Sequence, residues 1–391
     1  MFNITFIFEE GEPVTISALA GEKLLDVARK ANVAIDAPCS GNGVCGKCRV
    51  RLVSGYLDAP INRHISTEEY NAGWRLACLA QICGDAEIAV PDIANAYRSR
   101  MKIADISSPE EAAIFDRLRD QLMEAGFSME SDLSFLPLDL TEPTLEDTMP
   151  DNERVLRAVE AATGVPAEAV MIPYTVLKHL SWVLRESEFR VKCVLSRDQD
   201  RILIRDVLPA DNTDPIMGFA LDLGTTSLAG VIVDLQTGKI LAKASCGNGQ
   251  IRYGADVINR IIESDKLGGR KRLQDAVVKD SIIPMLAQMY RSSGINPRRI
   301  YRMVLAGNTT MNHLLLGLHS DPIRMEPFVP SFFRTDYLYV RDIDLKMNRL
   351  AELIVAPNIG SYVGGDITAG ALVSMIWNSP EMSLFIDLGT N

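Results

Sequence analysis

The stretch Ala37 to Leu52, APCSGNGVCGKCRVRL, sets Cys39, Cys45 and Cys48 in one short loop, separated by five and then two residues. Thiolates gathered this way bind metals, and the choices are a zinc site, a disulfide framework or an iron–sulfur site. Structural zinc sites usually bring two close pairs of ligands, and this loop offers one such pair, Cys45 and Cys48. A C-x5-C-x2-C loop with a distant fourth cysteine instead approximates the plant-type [2Fe–2S] spacing, C-x4-C-x2-C…C, with one residue inserted. Gly41, Gly43 and Gly46 suit that reading, because glycine takes positive φ and lets backbone N–H groups reach cluster sulfurs. For the fourth ligand the chain offers Cys78, in GWRLACLA, and Cys83 five positions later; Cys78 is preferred. Cys193 and Cys246 stand alone and read as small buried hydrophobes.

A second group of residues points to phosphate chemistry. In FALDLGTTS, at 219–227, an apolar strand ends on Asp222 and turns through Gly224, Thr225 and Thr226. Asp222 can hold Mg2+ or its water, Gly224 lets backbone approach, and the N–H groups and hydroxyls of Thr225 and Thr226 can cradle phosphate oxygens. An ordinary tight turn would use the same residues. The motif gains weight from its repetition as LFIDLGTN at 384–391, where Asp387, Gly389 and Thr390 occupy the matching places.

The surrounding elements must position these groups. NITFIFEEGEPVTIS reads as two strands, EKLLDVARKAN as an amphipathic helix with Leu24, Ala28 and Ala31 on one side, and CRVRLVSG and AEIAVP as further strands. The segment from 95 to 130 reads as a linker with helical content. Residues 131–213 read as a small α+β middle domain: a helix from Asp151 as N-cap to Gly164 as C-cap, a second helix in PYTVLKHLSWVLRES, then the hairpin FRVKCVL-SRDQD-RILIRDVL. His179 and His313 are expected to be structural. IMGFALDLGTTSLAGVIVDLQTGKILAKAS gives three strands, VLAGNTTMNHLLLGL a strand–loop–helix that includes Asn308, and YVGGDITAG a helix start at Gly364, Gly365 and Asp366. A strand is expected over LFIDLGT, at 384–390.

Composition bounds the function. The 391 residues exceed what one core serves, so roughly two to four domains are expected. A net charge of −11 argues against nucleic acid as partner. No apolar run approaches the ~20 residues of a membrane span, and MFNITFIFEE lacks the basic start of a signal peptide. A cytoplasmic location follows as the expectation, and in a reducing compartment a cysteine cluster is more often a metal site than a set of disulfides.

Two resemblances sharpen this reading. PCSGNGVCGKC with RLAC at 75–78 resembles a β-grasp [2Fe–2S] ferredoxin domain over residues 1–94. The paired DLGT turns resemble the two phosphate motifs of the family that includes sugar kinases, heat-shock chaperones and actin, which implies a ribonuclease-H-like α/β ATPase lobe over 214–391. Taken with QIRYGADVINRI, AGNTTMNHLL and PNIGSYVGGDI, the whole chain resembles the reductive activators of corrinoid-dependent methyltransferases, the ASKHA-domain ferredoxin proteins. The resemblance implies ATP-driven reduction of Co(II) to Co(I) on a partner corrinoid protein. It implies Cys39, Cys45, Cys48 and Cys78 as cluster ligands, Asp222 and Asp387 as the acidic residues at the ATP, and Gly224, Thr225, Thr226, Asn308, Gly364, Gly365, Asp366, Gly389 and Thr390 as nucleotide-binding residues. An electron donor is required, and a homodimer is left open. Family members continue past the second phosphate turn into an adenosine-binding motif, so the purine contact is expected to lie outside these residues, and the chain reads as C-terminally truncated. The rival readings are activation of another low-potential acceptor, a nucleotide-binding redox sensor, and a small-molecule kinase, which would have no use for the cysteine loop.

Overall fold

The computed structural model describes residues 1–8, 13–31, 33, 35, 37, 41, 43–91, 109–254 and 256–387. Three sheets, of five, four and five strands, organise three units in chain order. The protein is a multidomain α+β and α/β chain, as the sequence predicts. Among the described residues no helix is long and apolar enough to cross a membrane.

The N-terminal unit contains β1 (Phe2–Ile7), β2 (Val14–Ala18), α1 (Leu24–Lys30), β3 (Arg49–Asp58), α2 (Thr67–Asn71), β4 (Trp74–Leu76) and β5 (Gln81–Ala89). The sheet order is β2-β1-β5-β3-β4, with β1 and β5 parallel, which is the β-grasp arrangement. Strand alternation turns Ile4 and Phe6 inward, where they meet Leu24, Val27 and Ala28 of α1, all five fully buried. Backbone bonds from Leu24 N to Ala80 O (2.9 Å) and Leu25 N to Ala77 O (3.0 Å) fix α1 against the segment that carries Cys78.

After α3 (Pro109–Glu124), the second unit holds β6 (Leu133–Asp139), α4 (Asp151–Thr163), β7 (Val170–Met171), α5 (Tyr174–Glu186), β8 (Arg190–Asp198) and β9 (Arg201–Pro209), in sheet order β6-β8-β9-β7. The hairpin and both helices fall where the sequence places them. Gly164 caps α4 in the left-handed conformation, but the N-cap is Pro150 and not Asp151. Asp151 sits one position inside the helix, where its carboxylate accepts from Arg185 NH1 at 2.8 Å instead of capping.

The third unit comprises β10 (Met217–Leu223), β11 (Ser227–Asp234), β12 (Ile240–Gly247), α6 (Val257–Asp265), α7 (Gly269–Val277), α8 (Ile283–Ser293), β13 (Ile300–Gly307), α9 (Thr309–Leu315), β14 (Glu352–Val355) and α10 (Gly365–Val373). Its sheet runs β12-β11-β10-β13-β14, antiparallel across the first three strands and parallel from β10 to β14. This is the ribonuclease-H-like order. The expected strand over LFIDLGT does not form in the described part, 384–387, where the chain is irregular and Leu384 and Ile386 are 83% and 63% exposed. A strand needs a neighbour to take its backbone hydrogen bonds, and among the described strands none lies beside it.

Charged pairs bolt the second unit to the third. Arg302 of β13 grips both oxygens of Asp132 (2.5 and 2.8 Å) and also Glu352 (2.9 Å), while Arg205 of β9 donates to Leu350 O (2.9 Å) and to Glu352. The Arg302 guanidinium holds the Asp132 carboxyl below its usual range.

Gly55 tests the N-terminal sheet. It sits in an irregular stretch of the β3–β5 pairing at φ +85°, and a Cβ there would come within 2.0 Å of Asp85 O. Gly55→Ala is expected to lower the stability of this unit by more than about 1 kcal/mol, whereas Gly84→Ala, whose Cβ meets nothing closer than 4.0 Å, is expected to be mild. Chemical denaturation followed by far-ultraviolet circular dichroism makes the comparison.

Candidate functional site

Two centres emerge. At the first, Cys48 Sγ and Cys78 Sγ stand 3.1 Å apart, 1% and 0% exposed. A disulfide would hold them at about 2.05 Å, whereas two thiolates on one tetrahedral metal, each at about 2.3 Å, stand roughly 3.7 Å apart. At 3.1 Å the pair is too far apart for a disulfide and has to open by roughly half an ångström to share one metal. Cys83, the alternative fourth ligand, is exposed, and Cys45 is half-buried. Cys39 lies outside the described residues, among which no set of three or more metal-binding side chains closes up.

The glycines behave as the loop chemistry requires. Gly41, Gly43 and Gly46 all take positive φ (+90°, +74°, +68°), and added Cβ atoms would meet Leu25 Cδ2 at 3.3 Å, Leu79 Cδ2 at 3.0 Å and His64 Cγ at 2.6 Å. Side chains would push the loop away from Cys78, so the residues present fit a buried cluster. Cys193 is a different kind of thiol: it is buried in the second unit, and burial pushes it up to about 12, which removes thiolate reactivity.

The second centre is a cavity of about 550 Å3 at the C-terminal ends of β10 and β13. Asp222, Thr225, Thr226, Asn308, Asp366 and Asp387 all line it. Parallel pairing of β10 with β13 sets Leu223 beside Gly307, and so brings the DLGTT turn next to Asn308. Asn308 caps α9 by accepting from Met311 N (2.9 Å) and donates to Thr225 Oγ1 (3.2 Å). Gly224 also borders the cavity, and a Cβ on it would come within 2.5 Å of Ser227 O.

Gly364 and Gly365 support the cavity from behind and are not among its lining residues. A Cβ on Gly364 would strike Gly307 O at 2.4 Å and one on Gly365 would strike Ala356 Cβ at 2.7 Å, so these glycines let α10 press onto the ends of β13 and β14. That contact delivers Asp366, in the first turn of α10, to the cavity. Gly389 and Thr390 lie outside the described residues.

Sequence reading missed the groups that hold the turn. Arg260 of α6 is 0% exposed and donates to Thr225 O (2.5 Å), Gly254 O (2.8 Å) and Gln250 Oε1 (3.3 Å). Asn248 donates to Gly224 O at 2.9 Å. The available signal was an arginine on an otherwise apolar helical face in DVINRII. The same neighbourhood reaches the N-terminal unit, because Arg29 Nε of α1 donates to Arg252 O at 3.4 Å.

Three carboxylates share the cavity. Burial first, then Asp366 and Asp387, raise the Asp222 carboxyl above its usual range; burial, with a smaller push from Asp387, raises Asp366. An oxygen-only donor set under mutual repulsion suits a hard divalent cation. The two histidines are structural. His313 is fully buried, with Nδ1 donating to Thr309 O (2.7 Å) and Nε2 accepting from Ser331 N (2.9 Å), and His179 is half-buried against Asp206 Oδ1 (3.1 Å).

The thiol geometry is open to a direct test. Cys48→Ser and Cys78→Ser are each expected to abolish the visible absorption of the reconstituted cluster, while Cys83→Ser and Cys193→Ala retain it. For the acidic cavity, folded pKa values above the ordinary 3.8 mean that the folded state binds protons more tightly than the unfolded one. The repulsive cost is therefore present above the raised values and fades as pH falls towards 3.8. Mg2+ at a hundredfold excess over its Kd is expected to raise stability at pH 7 by about 2.7 kcal/mol, by less as pH falls, and hardly at all in Asp222→Asn/Asp366→Asn, as read by thermal unfolding.

Comparison with known proteins covers both regions of the chain. Residues 7–83 match the 2Fe-2S iron-sulfur cluster binding domain, 122–214 the RACo linker region and 217–379 the RACo middle region. Over 380 residues the chain is 29% identical to the corrinoid activation enzyme RamQ of Eubacterium limosum, a match covering 94% of this chain and 54% of that protein. A solved structure of a reductive activator for corrinoid, iron-sulfur protein overlays on 100% of this chain and 60% of its own, at a TM-score of 0.59 and 27% identity. The N-terminal unit alone is 31% identical over 93 residues to a component of the Na(+)-translocating NADH-quinone reductase of Actinobacillus succinogenes, covering 23% of this chain and 22% of that one. The chain thus spans a little over half the length of the two long relatives. Those two relatives are named as corrinoid activators, and the chain is similar to them from its ferredoxin domain through its RACo middle region.

Proposed function

We propose that the protein reduces the Co(II) form of a partner corrinoid protein to Co(I), one electron at a time, and that nucleotide binding drives the step. One observation carries the reading: Asp222, Thr225, Thr226, Asn308, Asp366 and Asp387 converge on one cavity in a chain whose N-terminal unit buries the Cys48–Cys78 pair. Cys39, Cys45, Cys48 and Cys78 hold a [2Fe–2S] cluster, which supplies one-electron chemistry when bound. Asp222, Asp366 and Asp387 hold Mg2+ or its water, and the turns at Thr225–Thr226 and Gly389–Thr390 hold ATP phosphates. The division of labour follows the units: residues 1–94 carry the electron, 95–130 connect, 131–213 form a base, and 214–391 take the nucleotide. The corrinoid belongs to the partner, the electron comes from a separate donor, and the work is done in the cytoplasm.

The physical need for such a fusion is a matter of potential. Plant-type clusters lie near about −400 mV, and an acceptor that lies lower receives little of the electron at equilibrium. Shifting a two-state complex from 1:99 to 99:1 takes about 5.5 kcal/mol, which at about 59 mV per decade for one electron corresponds to roughly 240 mV. Differential nucleotide binding is of that size. The contact of α1 with Arg252, next to the segment that braces the phosphate turn, supports a direct route between the two centres.

The test mixes the anaerobically reconstituted chain, a reductant and a Co(II) corrinoid protein, and follows Co(I) in the visible spectrum. MgATP is expected to raise Co(I) formation at least tenfold, and Asp222→Asn is expected to remove the increase while leaving the cluster spectrum intact. Equal Co(I) yields with and without MgATP would remove the coupling.

A further inference from the structure

A second cavity, of about 480 Å3, opens between α5 and the start of β13. It lies at the other end of the sheet from the phosphate turn, because Arg299 precedes β13 whereas Asn308 follows it, and β10 runs parallel to β13. Its volume is within the range of small-molecule pockets, about 300–1,000 Å3.

The charge of this cavity runs against that of the chain. Its wall carries five permanent cations, Lys178, Arg205, Arg298, Arg299 and Arg349, against one carboxylate, Asp206, in a protein of net charge −11. Asp206 is already engaged: it accepts from Arg299 NH1 (2.9 Å), Tyr301 OH (3.0 Å) and Val207 N (3.0 Å), with the His179 ring at 3.1 Å. Arg299 is shared between Asp206 and Asp214, and Arg205 is paired with Glu352. Lys178, Arg298 and Arg349 have no carboxylate partner among the described residues, and all three are exposed.

One further feature belongs to a binding wall. Trp182 stands at the same wall, 66% exposed. A large indole left open to water on a concave surface is a contact waiting for a ligand.

We propose that this cavity binds a small polyanion, a molecule carrying at least two phosphate or carboxylate groups. Lys178, Arg298 and Arg349 supply the uncompensated charge, and the Asp206 network fixes the floor. Concentrated like charge at a concave, partly desolvated wall attracts an anion more strongly than scattered surface lysines do. Free phosphates and free polycarboxylates share this chemistry. The site is independent of the nucleotide reading above.

Isothermal titration of the full chain with pyrophosphate, and separately with citrate, tests the proposal. Mg2+ is left out, so that the acidic cavity around Asp222 repels both probes. One-site binding of either probe is expected, with preference for one of the two assigning the phosphate or the carboxylate class. Lys178→Ala/Arg349→Ala is expected to weaken it at least tenfold with little change in the unfolding midpoint, because both side chains are exposed and neither has a carboxylate partner among the described residues. Binding should also shift the emission of Trp182, a change lost in Trp182→Phe while the heat signal persists. Absence of binding by both probes, or undiminished affinity in the double variant, would overturn the assignment.

Discussion

The third unit depends on one buried charge. Arg260 has no exposed surface, and a guanidinium placed there without partners would be strongly destabilising. It is tolerated because oxygens surround it: the carbonyls of Thr225 and Gly254 and the side chain of Gln250, itself anchored to Leu273 O at 2.9 Å. The dependence is mutual. The phosphate turn, the 249–253 segment and α6 hold one arrangement because each supplies part of the arginine's hydrogen-bonding shell. A π-helical turn at Val278–Ile282, between α7 and α8, completes the brace by presenting Ser281 Oγ to Gly249 N at 2.8 Å.

Much of this was legible in the chain because the signals were local. The DLGTT turn, Gly164 and the β8–β9 hairpin are each encoded within a few residues, and each forms where the pattern indicates. Signals that need a distant partner were not legible. Asp151 looks like a helix cap in isolation, yet Arg185, thirty-four positions away, takes its carboxylate. LFIDLGT has the apolar run of a strand, but an apolar run shows only that the segment could pair; pairing decides whether a strand exists. Arg260 lies within the QIRYGADVINRI stretch and Asn248 just before it, yet nothing local marks their role, which is to hold backbone carbonyls that any sequence would provide.

The units differ in how they are joined. The second and third meet through Asp132, Arg302, Glu352 and Arg205, and through Asp206 with Arg299 and Tyr301, so that salt bridges and hydrogen bonds run from one sheet into the next. The N-terminal unit reaches the third by a lighter touch, Arg29 on Arg252 O, with Glu263 at 4.0 Å from the same guanidinium. Fewer bonds among the described residues tie the N-terminal unit to the third, so it is the part expected to shift most readily against the other two. Differences in opening free energy of this kind separate the parts of a protein that move from those that do not.

The acidic cavity also sets what can enter it. Asp222, Asp366 and Asp387 face inward together, so a bare polyphosphate arriving there brings like charge to like charge, while the same polyphosphate already chelated to a divalent cation brings its own neutralisation. The cavity therefore discriminates by the speciation of its ligand and not by phosphate content alone. Under the function proposed above, occupancy tracks the concentration of the chelated nucleotide, and unchelated nucleotide competes poorly for the cavity. Gating of that proposed kind would make the protein respond to the free-cation level around it as directly as to the nucleotide.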